Sequence, residues 1–122
     1  MNEPYITLAG RSDAELTEKK SRFLSFAAPV GSEAEAIAFI SEIRSAYPDA
    51  RHWVYAYRVT SAPPYTARYS DDGEPQGTGG LPVLDVLKKR GMGDAAIAVV
   101  RYFGGILLRA PRRVRAYCSA AL

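Results

Sequence analysis

The chain has 122 residues, 48% of them apolar, a formal net charge of +3 and one cysteine, Cys118. That length suits one domain, residues 1–122, and hardly two, and a lone thiol excludes an internal disulfide framework and suits a reducing compartment. The longest apolar run, Ala95 to Val100, is too short to cross a bilayer, and the N-terminus lacks the basic start and apolar stretch of a signal peptide, so a cytoplasmic protein without membrane contact is expected.

In chain order, YITLA at residues 5–9 reads as a strand by its β-formers and alternation. Residues 13–19 are ambiguous. Lys19-Lys20-Ser21 has the look of a hairpin turn, and it leads into a strand over 22–30 in which Phe23, Ser25 and Ala27 alternate with Leu24, Phe26 and Ala28. Ser32 with Glu35 three residues later has capping-box spacing. Apolar residues then recur at Ala36, Phe39, Ile40, Ile43 and Tyr47, which predicts a helix over 33–47 stopped by Pro48. HWVYAYRV, His52 to Val59, is an aromatic-rich strand broken by SAPPY, and residues 66–70 fit a short further strand.

Pro82 suits the first position of a second helix, with Val83, Leu84, Val86 and Leu87 on its apolar face and Gly91 at its end. AAIAVVRY, Ala95 to Tyr102, is continuously apolar and reads as a buried strand terminated by Gly104-Gly105. A last helix over 112–122 would place Val114, Tyr117, Cys118 and Ala121 on one side. The mixture has no regular βαβ repeat, so the class is α+β: a mostly antiparallel sheet with helices on one face.

The charge is unevenly spread. After Asp94 there is no acid, while Arg101, Arg109, Arg112, Arg113 and Arg115 follow. Such a basic tail end suits RNA or an acidic partner; the plainer alternative is a solvated basic helix.

The densest motif is SDDGEPQGTGG, Ser70 to Gly80. It lacks the alternating ligands and twelfth-position glutamate of an EF-hand, and the lysine and spacing of a P-loop. Backbone amides at Gly77 to Gly80, ahead of a helix, could draw an anion, although the nearby acids oppose one. Composition favours a chain reversal, with Asp72-Gly73 as a turn dipeptide and Glu74-Pro75 enforcing an extended residue. His52, the single histidine, is more readily a packing residue than a catalyst, and Cys118 a packing thiol. Arg101 on an apolar strand requires a carboxylate, and the acidic loop offers one: Asp71 or Asp72 is the expected partner. Tyr102 and Phe103 beside it could stack bases, but aromatics at a strand edge are usually core.

SDDGEPQGTGGLPVL followed by VVRYFGGILL, with KKSRFLSFAAPV, DARHWVYAYRV and VRAY around them, resembles the YigZ/IMPACT family over nearly the whole chain. The resemblance implies an α+β domain similar to the second domain of a small-subunit ribosomal protein. It implies that the ferredoxin-like C-terminal domain usual in bacterial members is absent from a chain ending at Leu122. Eukaryotic relatives are translation regulators that restrain a starvation-responsive kinase through its activator. For bacterial members the resemblance suggests nucleic-acid or ribosome association and no established catalysis. One departure stands out: where the family has a glycine-rich run, this chain has RAPRRV, with Arg109, Pro111, Arg112 and Arg113.

Two functions compete. The first is a non-enzymatic regulatory or binding module linked to translation, with RNA, the ribosome or a translation-regulatory protein as partner. Its signature surface would comprise His52, Asp71, Asp72, Gly73, Glu74, Gly77, Thr78, Arg101, Tyr102, Gly104 and Gly105. Arg109, Arg112, Arg113 and Arg115 would meet phosphates; no catalytic residue, metal or cofactor is assigned. The alternative is a metal-assisted hydrolase of phosphate esters, with Asp71, Asp72 and Glu74 on a divalent cation, His52 as general base and Arg101 stabilising charge.

Overall fold

The structure, a computed structural model, describes residues 10–60, 65–105 and 116–117. Five strands and two helices follow in the order β1 (Ser12–Glu18), β2 (Ser21–Pro29), α1 (Glu33–Ala46), β3 (His52–Val59), β4 (Thr66–Ser70), α2 (Gly80–Lys89) and β5 (Ala95–Tyr102). The strands form one sheet in the order β1-β2-β5-β3-β4, every neighbouring pair antiparallel. The expected α+β class and antiparallel sheet are present. The expected strand over 5–9 lies outside the described residues, as does the last helix apart from Ala116 and Tyr117, which are helical and buried.

Local chemistry accounts for most boundaries. Lys19 and Lys20 both take positive φ, 49° and 66°, the two-residue hairpin geometry that matches strand twist. Of residues 13–19, which fit neither period cleanly, 13–18 are drawn into β1 by pairing with β2 and Lys19 opens the turn. At α1, the Ser32 hydroxyl accepts from the Glu35 N–H at 3.2 Å, and the Glu35 carboxylate turns back onto the Gly31 N–H. Helix α2 starts at Gly80, two residues before Pro82. A proline is tolerated inside the first turn because its missing N–H would have no intrahelical partner there. The helix ends with Gly91 at φ 64°, the Met92 N–H reaching back to Leu87 O at 2.9 Å and the Gly91 N–H to Lys88 O at 3.1 Å.

The helices do not share a face. Phe23, Val54, Ala56, Ile97 and Val99 pack with Val83, Leu84 and Leu87 of α2 and with Ala116 and Tyr117. Ala28, Tyr57, Val59, Ala98 and Val100 pack with Phe39, Ile40 and Ile43 of α1. Alternation along β5 explains the split: Ala95, Ile97 and Val99 point one way and Ala96, Ala98 and Val100 the other, all buried. A strand apolar on both sides needs cover on both sides, so the expectation of helices on one face is corrected. Among the described residues, no helix is long and apolar enough to cross a membrane.

Candidate functional site

The register sets His52 at the start of β3 directly beside Arg101 at the end of β5, and Phe23 of β2 on the other side of Arg101. All three project towards the α2 side of the sheet. The loop between β4 and α2 folds over this row and lowers Glu74 into it. Glu74 is 7% exposed and Arg101 3%. Glu74 Oε2 accepts from Arg101 Nη1 at 2.7 Å and from the Tyr117 hydroxyl at 2.5 Å, and Oε1 lies 3.3 Å from His52 Nε2. Arg101 Nη2 reaches the Ser21 hydroxyl at 3.4 Å, its guanidinium sits 5.5 Å from the Phe23 ring centroid, and Nε has no hydrogen-bond partner among the described residues.

The partner of Arg101 is therefore Glu74, and the expectation of Asp71 or Asp72 is corrected. The reason lies in the turn. Asp72 at φ 44° and Gly73 at φ 85° reverse the chain, so the side chain two residues beyond Asp72 faces inward while both aspartates face elsewhere. Asp72 accepts from the Trp53 N–H at 2.8 Å and pairs with Arg44 at 3.4 Å, and that guanidinium lies 5.1 Å from the Trp53 ring centroid. Asp71 turns to the start of α2. Its carboxylate accepts from the Gly77, Gly79 and Gly80 N–H groups at 3.0, 3.1 and 2.9 Å. The amide cradle that could draw an anion already holds one, from the protein itself.

The glycines answer to packing. A Cβ on Gly80 would lie 2.4 Å from Ser70 O, and one on Gly104 2.1 Å from Lys20 O in the hairpin turn. On Gly73 it would press the His52 ring at 3.3 Å. Gly77 and Gly105 take positive φ, and Thr78 is buried with its hydroxyl on Pro75 O at 2.5 Å. Tyr102, one residue after Arg101, projects to the opposite face, where its hydroxyl donates to Asp49 at 3.0 Å. Arg109, Arg112, Arg113 and Arg115 lie outside the described residues, as does Cys118. Tyr117, Ser21, Trp53 and Arg44 were not among the expected site residues; only the apolar spacing around Tyr117 marked it as facing inward.

His52 Nδ1 lies 2.7 Å from Asp72 O. A carbonyl oxygen only accepts, so Nδ1 carries the proton, and Nε2 faces Glu74. Nδ1 is thus committed to the loop backbone, whereas Nε2 bonds Glu74 only when it too carries a proton, because a bare ring nitrogen and a carboxylate oxygen both accept; in that form the ring ties loop to sheet. The three loop acids diverge to the α2 amides, to Trp53 and Arg44, and to Arg101. Among the described residues, no three His, Cys, Asp or Glu side chains are placed to hold a metal ion. The hydrolase arrangement therefore lacks its convergent carboxylates.

Burial and the neighbouring Glu74 charge push the Tyr117 phenol well above its ordinary 10.0. Unfolded tyrosine ionises near pH 10, so the folded state holds its proton more tightly, and this contribution is complete below about pH 10 and is lost as pH rises. Urea unfolding at pH 9, 10 and 11 is expected to show stability falling by up to about 1.4 kcal/mol per pH unit from this group. The fall should be shallower in Tyr117→Phe; an unchanged slope would contradict the buried, carboxylate-facing phenol.

The Impact N-terminal domain model matches residues 19–122. The chain belongs to the IMPACT family. It is 41% identical over 117 residues to the IMPACT family member YvyE of Bacillus subtilis, covering 96% of this chain and 54% of that protein. It is 45% identical over 101 residues to the IMPACT family member YigZ of Escherichia coli, covering 81% and 49%. Among solved structures it is similar to Yih1, a two-domain translational regulator, with a TM-score of 0.64 and 25% identity over 96% of this chain and 46% of that one. The chain thus spans about half the length of these IMPACT relatives.

Proposed function

We propose that this chain is a non-enzymatic binding module of translational regulation, acting by association with the ribosome, its RNA or a translation-regulatory protein. The observation that carries this reading is the internal commitment of the signature groups. Asp71 caps α2, Asp72 fastens the loop to Trp53, and Glu74 joins His52, Arg101 and Tyr117. Groups so engaged stiffen a surface rather than carry a reaction. The similarity to Yih1, itself a translational regulator, supports the same direction. The arginines at 109, 112, 113 and 115 supply the charge a phosphate-rich partner would need.

The test is cosedimentation with ribosomes and titration with short single-stranded RNA across a salt series, alongside an Arg112→Ala/Arg113→Ala variant. Binding is expected to weaken with salt at a slope of about −0.7 per phosphate contacted on single strands, and to drop in the variant. Salt-resistant ribosome binding kept by the variant would assign the contact to a protein surface. No binding to either would remove the ribosome and RNA arms.

A further inference from the structure

Among the described residues, the face of the sheet that carries α1 is only half covered. Helix α1 packs over β5 and β3, and a groove opens between it and the β1–β2 hairpin. Part of it is a cavity of about 280 Å³. Phe26, Phe39, Ile43 and Tyr47 line it, and Leu24 continues the apolar floor towards the hairpin turn. Leu24, Phe26 and Tyr47 are each only partly buried.

The rim is acidic. Asp13, Glu15, Glu35 and Glu42 line the groove, against Arg11 as the one cation lining it among the described residues. The pairing register places each hairpin acid beside an apolar residue: Asp13 opposite Phe26 and Glu15 opposite Leu24. These two carboxylates share one face and stand about 7 Å apart along the strand. The spacing is close to the rise of about 6 Å between residues i and i+4 of a helix. Arg11 forks onto Glu42, and Arg22 onto Glu15 at 3.1 Å, but both pairs are exposed, about half of each side chain being open to solvent. Exposed pairs are weak and exchange readily for an incoming cation. Charges on an edge strand also guard against unwanted strand pairing. That role does not require an open apolar floor beside them.

We propose that this groove docks a basic amphipathic segment of a partner protein. Its apolar side chains would lie on Leu24, Phe26 and Tyr47, and its lysines or arginines against Asp13, Glu15 and Glu42. The mode is that of a helix laid in a groove, with charge complementarity at the rim. The same rim disfavours nucleic acid, whose phosphates would meet carboxylates. The site lies on the sheet face opposite Glu74 and Arg101 and does not rest on the proposed function.

The test uses the 122-residue protein and a fluorescein-labelled helical peptide with leucines on one face and lysines on the other. A glutamate-for-lysine analogue and oligouridylate serve as controls, and anisotropy is the readout. The lysine peptide is expected to bind, with amide shifts in its NMR spectrum at residues 12–15, 24–27 and 42–47. Asp13→Asn/Glu15→Gln should weaken it about tenfold through the lost rim charge, and Ala46→Trp similarly by filling the groove. Should Ala46→Trp fail to fold, the charge variant decides alone. Absent binding, unchanged affinity in the charge variant, shifts centred on residues 70–80, or equal binding of the glutamate peptide or the oligouridylate would each overturn the proposal. So would a dimer that buries the groove in sedimentation.

Discussion

Glu74→Ala is expected to destabilise the fold by about 3–5 kcal/mol, the usual consequence of leaving one member of a buried ion pair without its partner. Among the described residues, Arg101 would keep its charge at 3% exposure beside the Ser21 and Tyr117 hydroxyls and the Phe23 ring but without its carboxylate, and the Tyr117 hydroxyl would lose its acceptor. Removing both charges together, as Glu74→Leu/Arg101→Met, should cost much less, because neither is then stranded. Chemical denaturation of Glu74→Leu, Arg101→Met and the double gives the coupling directly. A Glu74→Ala loss below about 1 kcal/mol, or strict additivity in the double, would mean the pair is wetter than its burial implies. The same variant should loosen the loop, since Glu74 ties it to β3, β5 and Tyr117 at once.

Asp71→Ala is expected to cost about 2–3 kcal/mol, the range for hydrogen bonds to a charged acceptor that also caps a helix. The amides of Gly77, Gly79 and Gly80 would be left at the N-terminus of α2 without an acceptor. The vacated cradle should then accept an anion from solution. Sulfate is expected to raise the melting temperature of Asp71→Ala more than that of the native protein, by linkage to binding. Thermal melts with and without sulfate decide it, and equal responses would show that the amides collapse onto other acceptors.

The sequence carried much of this arrangement, and its failures have physical causes. The Lys19-Lys20 turn, the Ser32 cap and the span of β5 were legible because each depends on a few adjacent residues. The need for a carboxylate beside Arg101 was legible too, since a guanidinium on an apolar strand demands one. Which of three acids answers depends on the dihedrals of Asp72 and Gly73, and residue types do not reveal those. The start of α2 was misplaced because the side chain that caps it, Asp71, comes from nine residues before the first helical position. The division of the helices between two faces was available in principle. Seven of the eight β5 residues are buried, and a run with no polar alternation already asks for two covers. The groove beside α1 was not legible, because Asp13 and Glu15 meet Phe26 and Leu24 only through strand register.

The position of β5 also has a consequence for synthesis. It is the last of the five strands among the described residues, yet it stands between β2 and β3. A nascent chain that has not yet reached Ala95 can form only two separate hairpins, β1–β2 and β3–β4, whose inner edges face each other with no strand to join them. Two-stranded hairpins are marginal alone, and unpaired edges invite pairing with other chains. Completion of the sheet is therefore deferred until the apolar stretch Ala95 to Tyr102 threads into the gap. Cooperative assembly from distant parts of this kind makes for slow folding and an interval of exposure to aggregation.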